Sequence, residues 1–168
     1  VSADTKRTPL VAVIDDEEDI TTYLELALAD VGYRVVTCNQ PSGALDMLRQ
    51  ERPDLICLDL VMPERAGGSL YVALRRDSVL KEVPVLILSG LGARQETLDA
   101  IVAAAAVPPP DGCVDKPLDG DELIARIGAL LEAPPRTEPD DDGAASGSAV
   151  ADREPTDTDG ACTRGDAS

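Results

Sequence analysis

The feature that most constrains this chain is a fivefold alternation between short apolar runs and longer stretches with helical apolar spacing. Residues 10–14 (Leu-Val-Ala-Val-Ile) are apolar throughout and bounded by charge, which fits a strand buried on both faces. From 18 to 31, Ile20, Tyr23, Leu24, Ala27, Leu28 and Val31 follow the rhythm of an amphipathic helix, and Gly32 supplies its stop. The cycle repeats with strands expected at 33–37, 54–58, 83–88 and 113–115, and helices at 42–50, 68–76 and 94–106. A last helix is signalled by the capping pair Asp119 and Glu122 and by the apolar face Leu123, Ile124, Ile127, Leu130 and Leu131. Strict alternation of this kind predicts an α/β fold: a parallel sheet wound with helices on both faces. The runs at 10–14, 54–58 and 85–88 are apolar enough to occupy its middle.

Composition narrows the chemistry. Phe and Trp are absent, so the core is expected to be Val, Leu, Ile and Ala. The formal charge of −17 excludes a basic face for nucleic acid and matches poorly with an anionic membrane surface. No apolar run approaches a membrane span and no leader is visible, so a cytoplasmic location is expected. Without histidine there is no Ser-His or Cys-His arrangement, and a zinc hydrolase is disfavoured. Cys38, Cys57, Cys113 and Cys162 lack metal-type spacing and are read as small apolar fillers rather than redox groups.

In a doubly wound sheet, ligands bind where the strands end. Strand one ends in Asp15-Asp16, strand three in Asp59, strand four in Ser89-Gly90 and strand five in Lys116-Pro117. Right-handed winding would gather these at one rim. Carboxylates crowded there repel unless a cation joins them, and an all-oxygen set favours Mg²⁺. Ser89 adds a hydroxyl and Lys116 a positive point charge suited to a phosphoryl group. Glu17, Glu18 and Asp19 read as a solvated acidic run at a helix start.

With these motifs the chain resembles the receiver domain of response regulators over about residues 10–131. The resemblance is carried by Ile14-Asp15-Asp16-Glu17, by Leu58-Asp59-Leu60-Val61-Met62-Pro63 with Gly67, by Leu88-Ser89-Gly90 and by Asp115-Lys116-Pro117. It implies a flavodoxin-like sheet of five strands in the order 2-1-3-4-5, with five helices. It also implies Asp59 as phosphoacceptor and Mg²⁺ (or Mn²⁺) held directly by Asp16 and Asp59, through water by Asp15, and by the Val61 backbone carbonyl. Ser89, Gly90 and Lys116 would bind the phosphoryl group, and the Lys116–Pro117 bond would be cis. The phosphoryl donor would be a histidine kinase or histidine phosphotransfer protein, and the output a protein-binding surface presented to a downstream protein target. Such a domain is a signalling switch rather than an enzyme acting on other substrates. Should phosphorylation not occur, the same fold would be a degenerate receiver, an interaction module independent of phosphate.

Three features depart from the family's pattern. Cys113 stands where an aromatic residue usually reports phosphorylation, so coupling is expected to run through the loop after strand four. Val107-Pro-Pro-Pro-Asp-Gly112 replaces a shorter connection, and its prolines stiffen the chain beside the usual partner surface. Val61 and Leu91, both apolar, border the path of an attacking water, which predicts slow loss of phosphate. For domain organisation, residues 1–8 read as a flexible arm and 9–132 as the receiver. Residues 133–168, rich in Pro, Gly, Ser and Asp, read as a disordered acidic tail. No output domain follows residue 131, which suggests the stand-alone type.

Overall fold

Five short runs become five parallel strands, and the three most apolar of them are buried on both faces. The computed structural model describes residues 7–63, 66–90 and 94–134. Its elements run β1 (Leu10–Ile14), α1 (Glu18–Asp30), β2 (Arg34–Cys38), α2 (Ala44–Glu51), β3 (Leu55–Asp59), α3 (Ala66–Arg76), β4 (Val85–Gly90), α4 (Arg94–Ala105), β5 (Gly112–Lys116) and α5 (Gly120–Glu132). The strands form one parallel sheet in the order β2-β1-β3-β4-β5, as expected. The N-terminal residues 1–6 and the tail from 135 lie outside the described residues. Arg7, grouped with the arm on sequence, is paired with the Asp54 carboxylate.

Strand periodicity divides the core into two layers. Ala12, Ile14, Ile56, Leu58, Val85 and Ile87 face α2, α3 and α4 through Leu48, Leu70, Leu74 and Leu98. Val11, Val13, Leu55, Cys57, Leu86 and Leu88 face α1 and α5 through Leu24, Leu28, Leu123 and Ile127. Burial of each Val, Leu or Ile side chain among them stabilises the fold by about 1.5–3 kcal/mol. The aliphatic core predicted from composition also takes in Met62 and, fully buried in the first layer, Tyr71. The Tyr71 hydroxyl satisfies itself on the Pro108 carbonyl at 2.6 Å. Cys57 packs in the second layer, and burial pushes its thiol up to about 12, so it is an inert filler.

Several boundaries differ from the sequence reading for local reasons. Gly43, at φ +90°, holds the N-cap of α2, so the helix begins at Ala44 rather than residue 42. The ordered strand β4 starts after Pro84, which has no N–H to contribute, and runs on to Gly90. Helix α3 starts at Ala66 and so takes in both glycines of the Gly67-Gly68 pair. A Cβ on Gly67 would run into the Asp59 carbonyl oxygen and stand 2.6 Å from the Leu60 Cα. Its lack of a side chain lets α3 lie against the end of β3. The capping pair of α5 is as expected, with the Asp119 side chain accepting from the Glu122 N–H at 3.0 Å.

Candidate functional site

Strand register assembles the site. Ile14 lies opposite Leu58, so Asp15 and Asp59 leave β1 and β3 at the same level. Asp59 lies opposite Leu88, and Ser89 and Gly90 lie opposite Asp115 and Lys116. The carboxyl ends of four neighbouring strands thus meet in one crevice, the place where an open α/β sheet binds ligands.

Lys116 is the hub of that crevice. Its Nζ donates to Asp15 Oδ2 at 2.7 Å, Glu17 Oε1 at 3.3 Å and Asp59 Oδ2 at 3.3 Å. The remaining oxygens of the two aspartates are held by loop amides: Glu17 N–H donates to Asp15 Oδ1 at 2.9 Å, and Val61 N–H to Asp59 Oδ1 at 2.8 Å. Asp15 is 0 % exposed and Asp59 2 %. The Lys116–Pro117 peptide is cis, as the resemblance implies.

The electrostatics are lopsided. Burial pushes the Asp15 carboxyl above its ordinary range, and the hydrogen bonds from Lys116 and the Glu17 amide only partly offset it, with the Asp59 charge adding to the rise. For Lys116, burial works to lower the pKa. Hydrogen bonding and charge from Asp15, with help from Asp59 and Glu17, outweigh burial and hold the ammonium above its ordinary value. The two shifts have different leading causes: desolvation for Asp15, and for Lys116 the attraction of the carboxylates around it, which outweighs burial.

Carboxylate oxygens of Asp15, Glu17 and Asp59 all lie within 4.8 Å of one another. An all-oxygen group with negative charge in excess fits a hard divalent cation such as Mg²⁺. Of the residues singled out on sequence, Asp15, Asp59 and Lys116 are brought into direct contact. Ser89 is 2 % exposed in the neighbouring strand, its hydroxyl reaching the Gly90 carbonyl at 3.4 Å. Val61 is exposed beside Asp59. Asp16 is exposed, and the close carboxylate group is completed by Glu17 instead. On sequence Glu17 reads as part of a solvated acidic run. Its place at the N-cap of α1, two residues past the buried Asp15, was the signal that could have found it.

This geometry has relatives. Residues 11–128 match the Response regulator receiver domain family. The chain belongs to that family. As a receiver it is a switch of two-component signalling; its sheet order is the one the family resemblance implied, and its close carboxylate group holds Glu17 where the resemblance implied Asp16. The receiver is 36% identical over 145 residues to the transcriptional regulatory protein AfsQ1 of Streptomyces coelicolor, a match covering 86% of this chain and 60% of that protein. To the probable transcriptional regulator ycf27 of Guillardia theta it is 36% identical over 121 residues, covering 72% of this chain and 44% of that one. The chain therefore spans about half the length of the curated relatives it matches. Among solved structures, the receiver domain of the Francisella response regulator 1452 superposes with a TM-score of 0.62 at 28% identity, covering 74% of this chain and 97% of that one. The Vibrio cholerae chemotaxis protein CheY4 does so with a TM-score of 0.64 at 25% identity, covering 73% and 98%. Among the described residues no helix is long and apolar enough to cross a membrane.

Proposed function

We propose that this receiver takes a phosphoryl group onto Asp59 from a phosphohistidine, borne by a histidine kinase or a histidine phosphotransfer protein, in a Mg²⁺-dependent reaction. The observation that carries the reading is the Lys116 ammonium lying within hydrogen-bond reach of both buried aspartates, Asp15 and Asp59. A structural ion pair would need one carboxylate, whereas this arrangement sets a cation, a nucleophile and a metal-type oxygen group side by side.

Asp15, Glu17 and Asp59 offer oxygens to the metal, and Asp16 and the Val61 carbonyl complete the proposed set. When bound, the metal would neutralise the crevice and the equatorial phosphoryl oxygens. Asp59 Oδ1 is anchored by the Val61 amide, which orients the carboxylate and leaves Oδ2 on the Lys116 side as the attacking oxygen. A new P–O bond forms at Asp59 as the P–N bond to the donor histidine breaks. Lys116, held above its ordinary pKa by the carboxylates before transfer, turns as a cation to the incoming phosphoryl oxygens. Ser89, buried one strand away, donates its hydroxyl to the same oxygens, with Gly90 next to it in the proposed phosphate-binding set. The product acyl phosphate adds negative charge at the rim, and the surface near β4 and β5 reads that change out to a protein partner.

The deciding experiment is labelling by acetyl phosphate, followed by intact mass. Addition of one phosphoryl group that requires Mg²⁺ and disappears in Asp59→Asn is the expected result. A folded wild-type protein that never gains the group would instead mark a degenerate receiver that binds its partners without phosphate.

A further inference from the structure

Strand β2 ends at Cys38, whose carbonyl accepts the Asp15 N–H at 3.2 Å. The next residue, Asn39, has left the strand ladder, and its half-buried side chain turns back across the loop between β1 and α1. Asn39 Nδ2 donates to the Asp15 backbone carbonyl at 3.0 Å and to Thr21 Oγ1 at 2.8 Å. Thr21 is buried in α1, and its own hydroxyl proton goes to the Glu18 carbonyl at 3.0 Å.

Chemistry fixes the direction of these bonds. A backbone carbonyl can only accept, and the Thr21 oxygen has already committed its proton to Glu18, so both atoms need a donor. The amide NH₂ of Asn39 supplies two. Turned the other way, the amide would set its oxygen against the Asp15 carbonyl. No other uncharged side chain of that length offers two donors from one atom apart from glutamine, which is one methylene longer.

The consequence is a brace around the acidic loop. Asp15 is held on its N–H by Cys38 and on its carbonyl by Asn39, while its carboxylate is held by the Glu17 amide and by Lys116. Asn39 also reaches the first turns of α1 through Thr21, and that helix begins at the Glu17 N-cap, the residue whose amide orients Asp15 Oδ1. Asn39 therefore ties together the two ends of the segment bearing Asp15, Asp16 and Glu17, all offered to the metal in the reading above.

We propose that Asn39 is a positioning residue for the Mg²⁺ site, setting metal affinity through the β1–α1 loop without touching the metal or the phosphoryl group. The proposal rests on the Mg²⁺-dependent reading and deepens it. Mg²⁺ tolerates little departure from octahedral geometry, so loosening a loop that carries three of its oxygens weakens binding. Partners one step removed from a metal ligand commonly change affinity by about tenfold or more. Here the effect passes through backbone rather than a ligand hydrogen bond, and about three- to tenfold is expected.

The test is isothermal titration of the full chain with MgCl₂ for wild type, Asn39→Ala and Thr21→Val, paired with acetyl-phosphate labelling rates across Mg²⁺ concentration. Thr21→Val is nearly isosteric and removes only the hydroxyl, so it guards against a trivial folding defect in the first variant. The expected result is a Mg²⁺ Kd about three- to tenfold weaker in Asn39→Ala and a smaller shift the same way in Thr21→Val. Labelling at saturating Mg²⁺ should stay within about twofold of wild type, because Asn39 bonds to neither Lys116 nor Asp59 and reaches them only through Asp15. An unchanged Kd in Asn39→Ala, or a saturating rate that falls while Kd holds, overturns the proposal. Failure of the wild type itself to bind Mg²⁺ overturns the metal reading, and this inference falls with it.

Discussion

Lys116 donates to Asp15 across 2.7 Å, a pairing between residues 101 positions apart, and the two partners are shifted by unequal causes. Burial dominates for Asp15, the most enclosed carboxylate of the crevice, whereas attraction dominates for Lys116, which has three carboxylates around it. The crevice is thus short of positive charge before any metal or phosphate enters.

A raised carboxyl pKa in the folded state favours folding while the group is protonated, and that contribution is lost as pH rises through the raised value. Asp15→Asn should accordingly raise the melting temperature of the metal-free protein at neutral pH and abolish the further rise produced by Mg²⁺. For the wild type, protons compete with the metal at Asp15, so Mg²⁺ affinity should decline on acidification from a pH above the ordinary aspartate range. Thermal melts with and without MgCl₂ between pH 4 and 8, as about the accessible range, would check both. A lower metal-free melting temperature for Asp15→Asn would contradict an under-neutralised crevice.

Gly67 tests the contact between α3 and the phosphoacceptor loop. A Cβ there meets backbone atoms of Asp59 and Leu60, which cannot move aside as a flexible side chain would. Gly67→Ala should destabilise by about 3 kcal/mol, at the upper end for overpacking. It should also slow labelling of the protein that remains folded, since the shift is forced onto the Asp59 loop. Urea unfolding and the labelling assay read the two effects separately.

Arg75 is a buried cation away from the site. Its guanidinium bonds to Asp111 Oδ2 at 2.8 Å, to the Lys81 and Val83 carbonyls and to the Tyr71 hydroxyl, with its charge 5.3 Å from the Tyr71 ring centroid. Tyr71 in turn reaches the Pro108 carbonyl, so Arg75 ties α3 to both ends of the connection into β5. Arg75→Met keeps an unbranched apolar stem but removes every one of these donors. We expect a loss of about 3 kcal/mol or more by urea unfolding. Tyr71→Phe removes the hydroxyl bonds alone and should cost about 1 kcal/mol.

The lifetime of the phosphorylated state turns on Val61. Its side chain is 54% exposed while its amide is fixed on Asp59, so an apolar group stands at the mouth of the crevice. Val61→Asn offers a donor and an acceptor to an attacking water and should speed loss of phosphate about tenfold, less than the roughly hundredfold or more of a fully positioned acid–base group. Loss by the wild type in seconds, followed by mass, would count against the slow-hydrolysis reading. Leu91, the second residue in that reading, lies outside the described residues.

Much of this was legible in the sequence because it depends on short-range patterns. Strand and helix alternation follows from apolar spacing within about ten residues. Gly32, at φ +93°, and Asp119 punctuate helices through bonds to near neighbours. Asp15, Asp59, Ser89 and Lys116 could be placed at the rim because each stands at or within one residue of a strand end, and parallel winding brings strand ends together. The tertiary structure decided what no local pattern encodes. It alone shows that Glu17 rather than Asp16 completes the close carboxylate group, since a lysine 99 residues away draws it in. It alone buries Arg75, which on a helix reads as solvated, because Asp111 and two loop carbonyls meet it only after the chain has folded. Asn39 reads on sequence as an ordinary loop residue, and its two acceptors lie 24 and 18 residues upstream. Which residues end strands is a property of sequence, but which polar atoms share a hydrogen bond is settled by distances that only the closed sheet creates.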